Sequence, residues 1–379
     1  MADRDRLPSF LKQENPMTPS ECETLLELVH RYSPSGQEAA AVDYLVGRMK
    51  ALGFTRTFRD ETGNAVGVMG DGPRQIVLLG HIDTVPGEIP VRVEGEILYG
   101  RGSVDAKGPL AAFVDAVAAV GPVTGWQFVV VGAVDEERDS SGARHIVGRG
   151  VYHPEFAVIG EPNRWERVAL GYKGSAWAEV TITCPQTHTA SGQQTAAEAA
   201  VAFWLAVKNY AETFNADKPR AFDQLLPTLR TIAAEEDAFT QTARLRIGCR
   251  LPVDVTPEGW YAFLREKTSE VSTEVFSVSI APIGHPIPAW RGERSNPLVH
   301  AFLGAIRAAG GNPGFVFKTG TADVNLVVPV WNCPAVVYGP GDSSLDHTPR
   351  EHLELREYRQ AVQVLCQTLI RLTGHTVRR

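Results

Sequence analysis

The chain has 379 residues, 44% hydrophobic and 21% charged. That balance excludes a disordered chain, and the length, against roughly 100–200 residues for one domain, favours two. A formal net charge of −7 excludes a globally basic nucleic-acid surface. No apolar run approaches the ~20 residues of a bilayer span, so neither nucleic acid nor membrane is an expected partner.

Residues 1–17 mix both charge signs around no apolar core and read as an N-terminal tail, with Met17 an alternative start. The five cysteines (Cys22, Cys184, Cys249, Cys333, Cys366) are scattered and form no CxxC pair. They read as reduced thiols of a cytoplasmic protein.

Thr18-Pro19-Ser20-Glu21 is a capping-box pattern ahead of a helix carrying Leu25, Leu26, Leu28 and Val29. Ser33-Pro34-Ser35-Gly36 interrupts it. Ser35 and Glu38 are then expected to cap a second helix, which Gly53 ends. Four continuous apolar runs follow, at 76–80, 128–134, 156–160 and 335–339, with an apolar helix predicted over 110–120. Such runs suit strands covered on both faces, so this part reads as α/β, a largely parallel or mixed sheet flanked by helices.

The texture changes at Gly171. Residues 175–183 alternate, a helix is predicted near 195–212, strands near 227–233 and 242–251, a helix near 256–269 and a strand near 273–282. That order, βαββαβ, predicts a ferredoxin-like inserted domain over 171–287. The first texture returns after Pro288, which makes 18–170 plus 288–379 a discontinuous α/β domain.

Polar residues follow each buried run: His81-Ile82-Asp83, Asp135-Glu136-Glu137, Glu161 and, after a short loop, His347. Asp105 lies between the first two runs. Ligand crevices of open α/β sheets lie outside the carboxyl ends of the strands, so His81, Asp105, Glu137, Glu161 and His347 can converge there. Two imidazoles and three carboxylates suit a pair of divalent cations about 3.5–4 Å apart, one carboxylate bridging them. The mixed N/O set suits Zn²⁺, with Co²⁺ or Mn²⁺ as substitutes. Asp83 is placed to accept the other ring N–H of His81, and Glu136 could take a proton from the attacking water. Each residue alone has a plain alternative as a solvated surface side chain, part of a turn or a cap; the joint placement is what points to metal-assisted hydrolysis.

Gly100-Arg101-Gly102-Ser103-Val104-Asp105 lacks the third glycine of a dinucleotide fingerprint, and HExxH, a P-loop and G-x-S-x-G are all missing. Lys173, Arg250, Arg294 and Lys318 are candidate carboxylate binders.

Gly80-His81-Ile82-Asp83-Thr84-Val85-Pro86, Gly100 to Gly108, Asp135-Glu136-Glu137 and Gly160-Glu161-Pro162 together resemble the co-catalytic zinc aminoacylase and carboxypeptidase family, which includes acetylornithine deacetylase and succinyl-diaminopimelate desuccinylase. The resemblance implies two zinc ions, His81 and Glu161 on one, Glu137 and His347 on the other, with Asp105 bridging and Glu136 as general base. It implies a cis peptide after Asp105, a lid and dimerisation role for the insert, and a homodimer in which His188 reaches across to the reaction's oxyanion. The residues before His188, Cys184-Pro185-Gln186-Thr187, depart from the family's glycine-containing lead-in.

Gly171-Tyr172-Lys173-Gly174, the run Lys318 to Asn325 and the compact length resemble one branch, the hydrolases that release lysine from a small acidic amino-group carrier protein; related members release ornithine. In that branch the 318–325 loop, with Lys318, Thr319 and Gly320, would lie near the substrate. Asp323 would meet a side-chain ammonium, and Arg250 or Lys173 a carboxylate. Docking of an acidic carrier would need a local basic patch, for which Lys173, Arg244 and Arg246 are candidates. The rival within the family is a deacetylase or desuccinylase of small N-acyl amino acids. Two-metal phosphoester hydrolysis and a non-catalytic peptide binder are the rivals outside it.

Overall fold

The structure, a computed structural model of the chain, describes residues 21–374. The 1–17 tail and the Thr18-Pro19-Ser20 part of the capping pattern lie outside the described residues. Two compact units emerge. The first takes the chain to Leu170, then Gly292–Val316, then the chain from Ala322; the second takes Gly171–Arg291 and Phe317–Thr321.

The first unit is built on a mixed sheet. Its strands run in the order Arg56–Arg59, Ala65–Met69, Trp126–Ala133, Arg74–His81, Phe156–Gly160, Ala335–Val337 and Arg167–Tyr172, the boundary between units falling within the last. The four central strands are parallel, and almost every residue in them is buried, which is why they read as unbroken apolar runs. His81 lies opposite Ala133, Gly80 opposite Gly160, and Ile159 opposite Val337. The residues leaving these strands therefore emerge at one edge of the sheet.

The helix Lys107–Val120 starts three residues before its predicted position and packs on the central strands and on Leu355–Thr373. Glycine permits that approach: a Cβ on Gly160 would stand 2.9 Å from the Phe113 ring. A Cβ on Gly108 would meet the Ser103 carbonyl at 2.5 Å, so the loop carrying Asp105 can fold tightly against the helix start. The Asp105–Ala106 peptide within that turn is cis.

The second helix spans Ala39–Ala51 and has no side-chain cap. This corrects the expectation for Ser35, whose hydroxyl donates to Asp83, 48 residues away, rather than to the helix end. Glu38 instead accepts the Gly36 N–H at 2.8 Å, tightening the turn before the helix.

The second unit has the order strand Gly174–Pro185, helix Ala196–Asn215, strands Leu226–Glu236 and Thr240–Leu251, helix Pro257–Val271 and strand Ser277–Ile287. The four strands form one antiparallel sheet. Thr195 and Glu198 close a capping box on the first helix, and Thr256 caps the second ahead of Pro257. Phe203, Val207, Trp260 and Leu264 of the helices bury against Val180, Ile182, Leu245 and Ile247 of the sheet.

Phe317–Thr321 groups with this second unit, not with the α/β part as the chain's texture suggested. The Phe317 ring lies 5.1 Å from that of Phe222, Lys318 O accepts the Lys173 N–H at 3.3 Å, and Thr321 Oγ1 accepts from Arg250 at 3.1 Å.

Candidate metal centre

His81 ends its strand pointing both nitrogens at acceptors. Nδ1 lies 3.0 Å from the Asp83 carbonyl and Nε2 lies 3.2 Å from Asp105 Oδ1. With Nδ1–H donating to the carbonyl, Nε2 is left with its lone pair towards Asp105. The sequence reading gave that role to the Asp83 carboxylate, which stands farther off at 3.4 Å. The carboxylate holds the neighbouring loop instead: Oδ1 accepts the Glu136 N–H and Oδ2 the Glu137 N–H, each at 3.1 Å, and Oδ2 also accepts the Ser35 hydroxyl at 2.6 Å. Burial acts against the Asp83 carboxylate, yet the nearby His81 imidazole and the bonds from Ser35 and the Glu137 amide keep it below the usual range. Ser35 was missed in this role, because no local pattern ties it to Asp83.

Asp105 uses its two oxygens separately. Oδ1 faces His81, and Oδ2 lies 3.0 Å from His347 Nε2, which also stands 3.1 Å from Glu137 Oε1. One ligand atom each from His81, Asp105 and Glu137 lies within 4.8 Å of the others. Asp135 and His347 hold left-handed backbone, at φ of 67° and 61°, the first beside Glu136 and the second at a candidate ligand.

Glu136 and Glu161 share this electrostatic environment. Burial pushes both carboxyls well above the usual range; His81 opposes this, while Asp323 and neighbouring carboxylates add to it. Burial also works against the Asp105 carboxylate, but hydrogen bonds from His347 and His81 hold it far below. Those bonds carry the His81 imidazole well above its usual value against its burial, and His347 to about 10. Asp323 is buried, raised to about 7 chiefly by desolvation, and neither of its carboxylate oxygens makes a hydrogen bond of good geometry.

Apart from Arg294, which belongs to the first unit and lies 5.5 Å from the Phe315 ring, the other candidates lie in the second unit. Lys173 departs from its expected role as carboxylate binder or docking residue. Its side chain is fully buried, and its ammonium donates to the carbonyls of Ala221, Phe222 and Gln224, pinning that turn. Burial lowers its pKa to about 8. Arg250 and Thr321 join as described, with Lys318 half-buried and Thr319 exposed beside Gly320. Arg244 pairs with Glu235, and Arg246 lies 5.5 Å from the Trp177 ring. His188 is exposed; its Nδ1 accepts the Ala190 N–H at 3.1 Å, which leaves Nε2 as the donor. None of the five cysteines is in a disulfide. No helix among the described residues is long and apolar enough to cross a membrane.

Residues 77–371 match the family model for peptidase family M20/M25/M40. The chain belongs to that family. It is 42% identical over 359 residues to the LysW-lysine hydrolase of Deinococcus radiodurans, covering 93% of this chain and 97% of that protein. It is 38% identical over 354 residues to a putative LysW-lysine/LysW-ornithine hydrolase of Thermococcus kodakarensis, covering 93% and 92%. Among solved structures, the M20 family metallo-carboxypeptidase Sso-CP2 of Sulfolobus solfataricus superposes with a TM-score of 0.73 at 15% identity, covering 94% of this chain and all of that one. The YXEP protein of Bacillus subtilis, described as a dinuclear metal binding peptidase, does so with a TM-score of 0.70 at 12% identity, covering 94% and 98%.

Proposed function

We propose that this chain is a dinuclear zinc amidohydrolase that releases lysine from a small carrier protein. The observation that carries the reaction class is the division of Asp105, one oxygen to His81 and the other to His347. The donor set fits a pair of divalent cations. Asp105 lies against both imidazoles and Glu137 against that of His347, and the like-charge burden on Glu161 is what two cations would relieve. His81 and Glu161 would hold one ion, Glu137 and His347 the other, and Asp105 both. When bound, such a pair activates water near neutral pH and polarises a carbonyl. Co²⁺ or Mn²⁺ would suit the same ligands.

Glu136 takes the proton of the attacking water and returns it to the leaving amine nitrogen. Burial already raises the proton affinity of its carboxyl, which suits a group that must hold a proton between two steps. Asp83 keeps it in place through the Glu136 N–H. Nε2 of His188, free to donate, is our candidate for stabilising the oxyanion from a second copy of the chain, joined through the second unit. Asp323, buried without a bonded cation, is our candidate for the substrate ammonium. Arg250 with Lys318, Thr319 and Gly320 are candidates for its carboxylate.

The substrate assignment is supported by the names of the two relatives, a LysW-lysine hydrolase and a putative LysW-lysine/LysW-ornithine hydrolase. The bond cleaved is then the amide between a carrier side-chain carboxyl and the lysine α-amino group, in the cytoplasm. Amine release by the zinc-loaded enzyme tests this, with carrier-linked lysine, carrier-linked ornithine, acetyl-lysine and acetylornithine compared. Fast release from carrier-linked lysine alone is expected. Fast release from acetylornithine alone would make the protein a small-molecule deacetylase.

A further inference from the structure

Glu351 stands four residues beyond His347 and is 0% exposed. Its Oε1 accepts two backbone donors, the N–H of Val104 at 2.9 Å and that of Asp105 at 3.1 Å. Its Oε2 accepts Nη1 of Arg101 at 2.8 Å, and Arg101, itself buried, donates Nε–H to the Gly87 carbonyl at 2.9 Å. The strands His352–Glu354 and Ile97–Tyr99 pair alongside, with His352 opposite Tyr99. One carboxylate thus ties the loop of His347 to the loop of Asp105.

We propose that Glu351 is a positioning residue for the bridging carboxylate, with Arg101 holding Glu351 in turn. A bridging side chain must give each oxygen to a different ion, so its backbone must not shift relative to either set of partners. Two N–H groups bonded to one oxygen fix the peptide leading into Asp105. Only the side-chain torsions of Asp105 remain, and His81 and His347 set those. A buried carboxylate in this place is tolerable because Arg101 neutralises it, and no shorter residue would span from the His347 loop to both amides. The proposal rests on the dinuclear reading above.

The test is metal binding by the metal-free protein, titrated with Co²⁺ against a chromogenic chelator, with the magnetic coupling of the cobalt pair as a second readout. Glutamine at 351 keeps the volume but has one acceptor oxygen, so it cannot serve both the backbone amides and Arg101. In Glu351→Gln the first ion should bind within about threefold of the unaltered protein and the second about 10–100-fold more weakly, with the coupling lost at intermediate loading. A variant that melts at lower temperature yet binds both ions with unchanged affinity would overturn the proposal and leave Glu351 a purely structural pair. Should Glu351→Gln not fold, Arg101→Lys carries the test: weaker second-ion binding is expected, and unchanged binding overturns. An unaltered protein that binds fewer than two ions would remove the dinuclear reading itself.

Discussion

Asp83 and Glu136 are joined side chain to backbone, Oδ1 of Asp83 accepting the Glu136 N–H at 3.1 Å. The same carboxylate holds Glu137, and the Asp83 carbonyl orients His81. One residue therefore sets two of the proposed ligands and the proposed general base. In Asp83→Asn the amide brings a donor against amides that need acceptors. We expect kcat to fall about 10–100-fold with KM little changed. Steady-state kinetics on protein of verified metal content checks this, and an unchanged kcat would remove Asp83 from the positioning role.

Glu136 is next to Glu137, a proposed ligand, but is itself assigned no metal. Glu136→Gln should therefore lower kcat by about 10²–10⁴ while leaving the metal stoichiometry as it was. Metal analysis beside a turnover assay separates the two effects. Loss of an ion in this variant would make Glu136 a ligand instead of the base.

Proton linkage follows from His347. Without metal, its imidazole lies between Asp105 and Glu137, which raise its pKa to about 10 from 6.5. The folded value exceeds the unfolded one, so this stabilisation is whole below pH 6.5 and fades as pH climbs towards 10. The Tm of the metal-free protein should fall across that window, modestly because the side chain is half exposed, and His347→Ala should flatten the slope. Metal binding requires the neutral imidazole, so uptake should expel protons. Calorimetry in two buffers of different ionisation heat measures that release. Metal uptake at pH 8 with no proton release would contradict the pairing.

Lys173 offers a contrast between stability and function. Its ammonium is buried against three carbonyls. Lys173→Met leaves those acceptors unpaired and should cost roughly 1–3 kcal/mol of stability, with KM unaltered. Thermal melts and kinetics below the new Tm decide it. A raised KM at unchanged Tm would restore Lys173 as a substrate contact.

The parts that could be read from the chain are those written locally. Strands buried on both faces leave apolar runs, so the run before His81 and the run before Glu161 announced the sheet and the edge at which these two residues leave it. The alternation from Ala176 to Ile182 marked the half-covered strand of the second unit just as directly. What escaped depends on residues far apart in sequence. Ser35 sits in a turn beside a helix and reads as a cap; its partner Asp83 is 48 positions on. Lys173 reads as a surface charge until residues 221–224 fold over it. Glu351 carries no local signature beside Arg350, and its bond to the Asp105 amide spans 246 positions. Neither period nor composition records such pairs.

The most direct measurement is anomalous diffraction from crystals of the zinc-loaded protein. Two peaks about 3.5–4 Å apart are expected, one on each side of Asp105, with His81 and Glu161 on the first and Glu137 and His347 on the second. Glu136 should touch neither. A single peak, or a pair that Asp105 does not bridge, would contradict the dinuclear centre on which the proposed hydrolysis depends.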